Sequence, residues 1–479
     1  MSTKTTDPPP SRPMVLLVIS FTLLLCLIAA CAGALWLLDF GKGPNAVQLA
    51  VFGVLLLSVL FAELLILEWL FPRSKKARAE RCEPRQVRKG EMKEKENQKQ
   101  KRRKAAGLLT GRFEEAGGGV AVVREPVIIS APMFGTANGR LAGSVSKAGG
   151  IGFIGGGFLF SSGSDQLAAL ASELSTAREV LSAPEGSDIP VGAGFILCHE
   201  SVSLFVENVI PVLKENRPVA VWLFAPRPVD VDSGLVKEIV QELKREGFMV
   251  WFQIGTVASA RRALEDGVDV VVCQGADAGG HGFEGGAGVV SLVVEVRRML
   301  EGDDKGKKVM VVAAGGFVEG NGVVAGLALG EFKLRNERVN SDNGPGAQGV
   351  VMGTRFLLAE EAGTPEFRQQ LLIESRDGGP ATFKSSAMDD IQGTGIWPMV
   401  YDGRALRTES VRDYIGGLPM KRNVEIFNKA KTTGDTSRLI TWAGTGVGLL
   451  SKIQPAGEIV QEVRAEAISG LKKLRSSYN

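Results

Sequence analysis

The sequence predicts an α/β protein: a (β/α)₈ TIM barrel with a helical C-terminal segment, preceded by an N-terminal transmembrane helical hairpin. From about Gly117, short β-branched runs alternate with longer stretches of helical spacing, which is typical of βα units around a parallel sheet. Eight such repeats fill about 240 residues, the number and size of an eight-stranded barrel. Two long apolar runs and a basic stretch precede them.

The first apolar run, Met14–Leu38, has 25 residues and no charge. A helix needs roughly 20 such residues to cross a bilayer. A second run, Ala46–Phe71, follows a short link and is interrupted by one Gln and two Glu. Together these runs predict a two-helix membrane hairpin over residues 14–71, after a tail over residues 1–13. The alternative is that the second run lies in the membrane interface.

A basic linker is expected over residues 72–116. Between Arg73 and Lys104 there are fifteen Lys and Arg against five Glu, although the net charge of the whole chain is only +3. A Lys and Arg excess after a membrane span favours the cytoplasmic side, which predicts a membrane-anchored protein with its barrel in the cytoplasm. Because the excess is local, it does not indicate a nucleic-acid partner for the remaining domain.

The barrel domain is expected over residues 117–479, and a doubly wound open sheet is the structural alternative. It contains a surface insertion at 331–347 and, from about residue 360, a helical segment that is expected to cover the barrel mouth as a lid. Eight runs predict the strands: Pro126–Ala131, Ile151–Ile154, Pro190–Leu197, Pro218–Phe224, Met249–Ile254, Val268–Cys273, Val309–Ala313 and Gly349–Met352.

The cysteine and histidine counts exclude several classes of site. The five cysteines are scattered and form no C-x-x-C pair, which argues against a disulfide framework or a zinc site. Only two histidines occur, His199 and His281, so a metal centre with several histidine ligands is not expected.

Glycine recurs wherever a predicted strand ends, in the segments APMFG, GGG, QGADAGGHG, AAGGF and MGTRF. In a barrel, the active site lies at the carboxyl ends of the strands, and the loops after strands seven and eight commonly bind phosphate. Glycines there let backbone amides approach phosphate oxygens. The segments Ala313–Phe317 and Met352–Arg355 are therefore predicted to form a phosphate site.

His281 lies between glycines in the loop after predicted strand six. Since imidazole titrates near neutral pH, a histidine at the catalytic end of a barrel suits proton abstraction. His199, beyond strand three in LCHES, has no such context and is expected to be structural or exposed to solvent.

Taken in order, these motifs make the chain similar to the nitronate monooxygenases, formerly called 2-nitropropane dioxygenases, which are FMN-dependent barrels. The resemblance begins near Pro126 with APMFGTANGRLAGSVSKAGGIGFIGGG. It continues through QGADAGGHG, AAGGFVEGNGVVAGLALG and GVVMGTRF, and ends with WAGTGVGL and PAGEIV.

The resemblance implies that His281 is the catalytic base. Many members have an asparagine after strand three where this chain has Gly194, so one flavin contact is expected to be missing or to come from elsewhere. The residues that the resemblance implies at the FMN site are Met133, Gln274, Gly279, Gly315, Gly316, Val351, Met352, Gly353 and Thr354.

The implied reaction oxidises an alkyl nitronate, or in some members a neutral nitroalkane, with dioxygen to a carbonyl compound and nitrite. Two alternatives stay open: a related flavin-dependent enoyl reductase that uses NAD(P)H, and a flavin-free, membrane-tethered binding protein. A barrel like that of inosine monophosphate dehydrogenase is disfavoured because no cysteine lies in a strand-end loop placed for covalent catalysis.

Overall fold

A computed structural model describes residues 111–116, 123–329 and 347–477. Three predicted strands have the expected bounds, and the other five are shifted by up to three residues. The strands are β1 (Ile128–Ser130), β2 (Gly152–Gly157), β3 (Ile189–Ile196), β4 (Pro218–Phe224), β5 (Met249–Ile254), β6 (Val270–Gln274), β7 (Gly280–Phe283), β8 (Met310–Ala314), β9 (Gly349–Met352), β10 (Thr382–Ser385) and β11 (Tyr401–Leu406).

Eight of these strands form one parallel sheet in the order β1-β9-β8-β6-β5-β4-β3-β2. The two ends of this order meet, because Ile129 forms a parallel bridge with Ile151 at the start of β2. The Ser130 N–H also donates to the Ile151 carbonyl at 3.0 Å. The sheet is therefore closed. The predicted TIM barrel is confirmed, and the open doubly wound sheet is wrong.

Side chains alternate between the barrel interior and the layer under the helices, as the period of two in a β-strand requires. Inside, Trp222 and Trp251 stack at 5.8 Å, and Phe153 packs edge-on against both. Outside, residues such as Val221 and Val250 pack under the helices. Phe113, from the short helix at residues 111–116, is fully buried in the interior cluster. These last residues of the predicted basic linker thus pack with the barrel.

The helices follow the strands as the spacing predicted. They are α1 (Gly139–Lys147), α2 (Asp165–Leu181), α3 (Phe205–Asn216), α4 (Pro228–Asp232), α5 (Leu235–Arg245), α6 (Val257–Asp266), α7 (Val289–Glu301), α8 (Gly320–Ala328), α9 (Glu366–Glu374), α10 (Gly378–Ala381), α11 (Ala387–Gln392), α12 (Glu409–Ile415), α13 (Met420–Thr433) and α14 (Ala456–Ser477).

The last helix, α14, occupies the place of the eighth barrel helix. Its Glu466 accepts the N–H of Gly320 at the start of α8, at 2.9 Å. Its Arg464 donates to the carbonyls of Ala148 and Gly149, just after α1. The chain therefore leaves the barrel after β9, forms a cap over residues 354–455, and returns to complete the ring of helices.

The sequence predicted a cap made of helices alone, and that prediction is incomplete. The cap also contributes two strands, β10 and β11, to a small antiparallel sheet of order β10-β11-β7. Strand β7 comes from the loop after β6, and His281 on it pairs with Gly403 on β11. The short segments GHGF and TFKS carry no regular apolar alternation, so their strand character comes from this pairing.

The expected membrane-anchored localisation is wrong. No helix among the described residues is both long and apolar enough to span a bilayer. The longest of them, α14, has 22 residues but carries charged side chains throughout. The predicted hairpin, at residues 14–71, and most of the basic linker lie outside the described residues. So does almost all of the predicted insertion, at residues 331–346.

Candidate active site

A cavity of about 380 Å³ opens at the carboxyl ends of the barrel strands. Its wall combines glycine-rich strand ends with side chains of the cap. Those that carry the argument are Met133, Gly194, Gln253, Gln274, Gly279, His281, Gly315, Gly316, Val351, Gly353, Thr354, Thr364, Arg368, Thr394, Trp397, Trp442, Gly444 and Gly446. The cavity lies where barrel enzymes bind their ligands.

The glycines after β8 are required by the backbone. Gly315 and Gly316 have φ angles of +113° and +79°, a region that side chains with a Cβ rarely adopt. A Cβ on Gly315 would also lie 3.0 Å from the carbonyl oxygen of Gly275. The turn therefore exposes bare backbone to the cavity, as a phosphate site needs.

Glycine-rich loops from two distant parts of the chain meet at this turn. Gly279 contacts the backbone of Ala443 and Gly444 so closely that a Cβ there would lie 2.3 Å from it. The Thr354 hydroxyl oxygen, just beyond β9, accepts the N–H of Gly444 at 3.0 Å. The closing motif WAGTGVGL is thereby joined to the strand-end loops. We call the surface formed by Gly315, Gly316, Gly353, Thr354 and Gly444 the phosphate cradle.

His281 is half-buried on β7, and its Nε2 lies 2.9 Å and 3.0 Å from the two carboxylate oxygens of Asp389. Asp389 comes from helix α11 of the cap, and its carboxylate also accepts the Thr394 hydroxyl at 2.8 Å. An ionised carboxylate can only accept hydrogen bonds, so the neutral imidazole carries its proton on Nε2. Nδ1 then keeps the lone pair and can accept a proton.

Two tryptophans fix the plane of this imidazole. Trp397 stacks on His281 with ring centroids 3.6 Å apart and an interplanar angle of 9°. Trp442 lies 4.6 Å from the same ring. A side chain on Gly403 would meet the Trp442 ring at 2.4 Å, so glycine at this position in β11 lets Trp442 approach the histidine. The histidine is therefore held in one orientation between aromatic rings.

Two glutamines present amides to the cavity. Gln274, at the end of β6, donates to the His281 carbonyl at 3.0 Å, and its Oε1 is buried without a partner among the described residues. Gln253, on β5, accepts the indole N–H of Trp222 at 3.2 Å. The orphaned oxygen of Gln274 suits a ligand that donates an N–H.

Gly194, where the resemblance led us to expect an asparagine, lines the cavity beside Pro132. A Cβ at this position would lie 2.3 Å from the Pro132 Cβ, so Pro132 fills the space of a side chain. Gln253, two strands away on β5, places a side-chain amide in the cavity wall, and its Oε1 accepts the indole N–H of Trp222.

Nearly all the predicted site residues come together in this cavity, with one exception. Met352 is fully buried in the layer between the strands and the helices, because its side chain points outward from β9. His199 caps a 3₁₀ turn by accepting the Ser201 N–H at 3.1 Å, a structural role. Those brought together are Met133, Gln274, Gly279, His281, Gly315, Gly316, Val351, Gly353 and Thr354.

The sequence analysis missed the cap residues that complete the site: Asp389, Trp397, Trp442 and Arg368. They lie between 87 and 161 residues beyond His281 in segments with no repeat pattern, and only the pairing of β7 with β11 brings the first three to it. The pair Asp389–Asp390 in SSAMDDIQGTG was a detectable polar signal, but nothing in it specified a histidine partner.

Several known proteins are similar to this chain over the barrel and the cap. The family model described as nitronate monooxygenase matches residues 120–466. A nitronate monooxygenase from Neurospora crassa is 47% identical over 364 residues, covering 74% of this chain and 92% of that protein. Nitronate monooxygenase npaC from Metarhizium robertsii is 33% identical over 354 residues, covering 72% and 91%.

Among solved structures, FabK from Thermotoga maritima superposes with a TM-score of 0.56. The match covers 76% of this chain and 98% of that one at 24% sequence identity, so it shows a shared fold and no more.

Proposed function

This chain belongs to the nitronate monooxygenase family, and from that premise we propose that it binds FMN and oxidises alkyl nitronates with dioxygen to a carbonyl compound and nitrite. Flavin-dependent oxidation of nitronates is the general chemistry of the family. The observation that carries the proposal is that His281, held by Asp389, lines the same cavity as the glycine turns after β8 and β9.

The residues present fit a flavin mononucleotide. The turn at Gly315 and Gly316 and the loop at Gly353 and Thr354 would hold the phosphate through backbone amides and a hydroxyl. The orphaned Oε1 of Gln274 would accept an N–H of the isoalloxazine ring. When bound, the flavin takes electrons from the substrate and delivers them to dioxygen.

The chain's own residues manage the proton and the water. For a neutral nitroalkane, Nδ1 of His281 would take the α-proton, since Nε2 is committed to Asp389. For a nitronate, which is already an anion, the same imidazole would orient and stabilise the charge. Trp397 and Trp442, which lie against the imidazole, would shield this side of the cavity from water.

The test is to purify the full-length protein, identify its released flavin by mass spectrometry, and measure nitrite release and oxygen uptake with propionate 3-nitronate. We expect FMN, and nitrite formed in proportion to the nitronate consumed. A yellow protein that releases no nitrite from any alkyl nitronate, and whose flavin NAD(P)H bleaches rapidly without oxygen, would identify a reductase and contradict the proposal.

A further inference from the structure

One arginine in the cavity wall has no hydrogen-bond acceptor among the described residues. Arg368 lies in the first turn of α9, and its Nε is shielded from solvent without a partner. Burial lowers the pKa of its guanidinium, and no neighbouring carboxylate offsets this. Its guanidinium carbon lies 5.5 Å from the centre of the adjacent Phe367 ring.

Other inward-facing arginines of the described chain are satisfied. Arg355 donates to Gln454 at 2.9 Å and lies 3.6 Å from Glu462. Arg404 donates to the Ala276 carbonyl, and Arg464 donates to backbone carbonyls near α1. A cation that is shielded from water and has no partner destabilises the folded protein. Such a cation in a cavity wall therefore indicates that a bound anion supplies the missing partner.

The surroundings of Arg368 specify an oxyanion. Thr364, four residues earlier, has a buried hydroxyl that also lacks a partner among the described residues, and it lines the same cavity. Of the described residues in the cavity wall, Arg368 is the single Lys or Arg, and none is Asp or Glu. Two orphaned donors and an unopposed positive charge match the oxygens of a phosphate or carboxylate.

The position of α9 indicates which oxyanion. Leu372, one turn after Arg368, packs in a cluster with Val318 and Leu358. These two residues follow the glycine turn after β8 and the loop after β9, respectively. Helix α9 therefore packs beside the loops that follow β8 and β9, and Arg368 lines the same cavity as the glycines of those loops. His281, by contrast, belongs to the β6–β7 side of the cavity.

We propose that Arg368, with Thr364, closes the cradle by binding the phosphate monoester of the flavin and supplying its counter-charge. The proposal rests on the flavin-mononucleotide chemistry put forward above and deepens it. The glycine turns supply neutral groups, so the guanidinium is the group that adds a positive charge opposite the phosphate. The cap thereby strengthens the selectivity for FMN over riboflavin that the turns begin.

The test titrates the full-length protein, freed of flavin, with FMN and separately with riboflavin, following the quenching of flavin fluorescence. In Arg368→Met, the Kd for FMN is expected to rise about 10- to 100-fold, the worth of one or two charge-assisted hydrogen bonds. The Kd for riboflavin should stay unchanged. Arg368→Lys, which keeps the charge but not the planar fork, should fall between. Arg376→Met, an exposed arginine two residues past the same helix, is the matched control and should change neither Kd.

Thermal unfolding of the flavin-free variants checks the fold. Arg368→Met should melt no lower than the wild type, since it removes an unpartnered cation, while FMN should raise its Tm by less. Equal loss of FMN and riboflavin would overturn the proposal, and so would unchanged FMN binding combined with a higher KM for the nitronate. Selective FMN binding without nitrite release would refute the proposed reaction and leave this site standing.

Discussion

His281 Nε2 lies 2.9 Å from one carboxylate oxygen of Asp389, although 108 residues separate them along the chain. The histidine comes from a barrel loop and the carboxylate from the cap, so the pair exists only when the cap is seated on the barrel. Asp389 is not among the residues that line the cavity, and it acts through the imidazole as a positioning residue.

Replacing Asp389 with Asn should release the imidazole tautomer, because an amide can donate to Nε2 as well as accept from it. Turnover of a neutral nitroalkane is expected to fall by about 10²–10⁴, while flavin content stays unchanged. Nitrogen-15 spectra of histidine-labelled protein report the tautomer directly, and with only two histidines in the chain His199 is an internal reference. A wild-type His281 protonated on Nδ1, or full activity in Asp389→Asn, would contradict this assignment.

His281→Asn separates the two roles of the histidine. If His281 acts as a base, its replacement should reduce turnover of a neutral nitroalkane by about 10²–10⁴. Turnover of the pre-formed nitronate should fall much less, since no proton has to be removed. Both substrates are assayed on the same flavin-replete protein. Equal losses would show that the histidine stabilises the bound anion, and no loss would show a purely structural role.

Gly353→Leu should abolish flavin retention in a folded barrel, because the added side chain enters the cradle. A Cβ at Gly353 meets only ordinary contacts, 3.6 Å from Met133 Sδ and 3.7 Å from Ala131 Cβ. Gly353→Ala is the control and should change stability by less than about 1 kcal/mol. Gly316 is a poorer position, since its φ of +79° would strain any side chain. Unchanged flavin stoichiometry in Gly353→Leu would remove this loop from the cofactor site.

The two buried cysteines should be inert. Burial raises the pKa of the Cys198 thiol to about 12 and also raises the pKa of Cys273. Little reactive thiolate therefore forms at neutral pH. Iodoacetamide is expected to leave both unmodified in the native protein, as peptide mass spectrometry would show. Alkylation of either thiol in the folded, active protein would contradict this prediction.

Much of the site was predictable because it is local. A glycine directly after a predicted strand is visible in the sequence. The turns at Gly315 and Gly353 and the loop around His281 could therefore be predicted from the sequence alone. Gly194 was also noted, but its explanation is tertiary, since Pro132 from the first strand end fills the space beside it. Met352 shows the limit of a motif, because strand alternation turns its side chain away from the cavity.

The sequence by itself determined the eight βα repeats. The short β-branched runs and the helical spacing between them are local signals. The closure of the sheet, by contrast, is seen only in the pairing of Ile129 with Ile151. Tertiary structure alone decided the cap. Its strand β11 pairs with β7 over a distance of more than a hundred residues, and backbone pairing of that kind is not written in either segment's composition. That pairing places Asp389 and Trp397 on His281. The return of the chain as α14 supplies the eighth helix. Both features depend on contacts between parts of the chain that have no local pattern in common, so the sequence alone does not predict them.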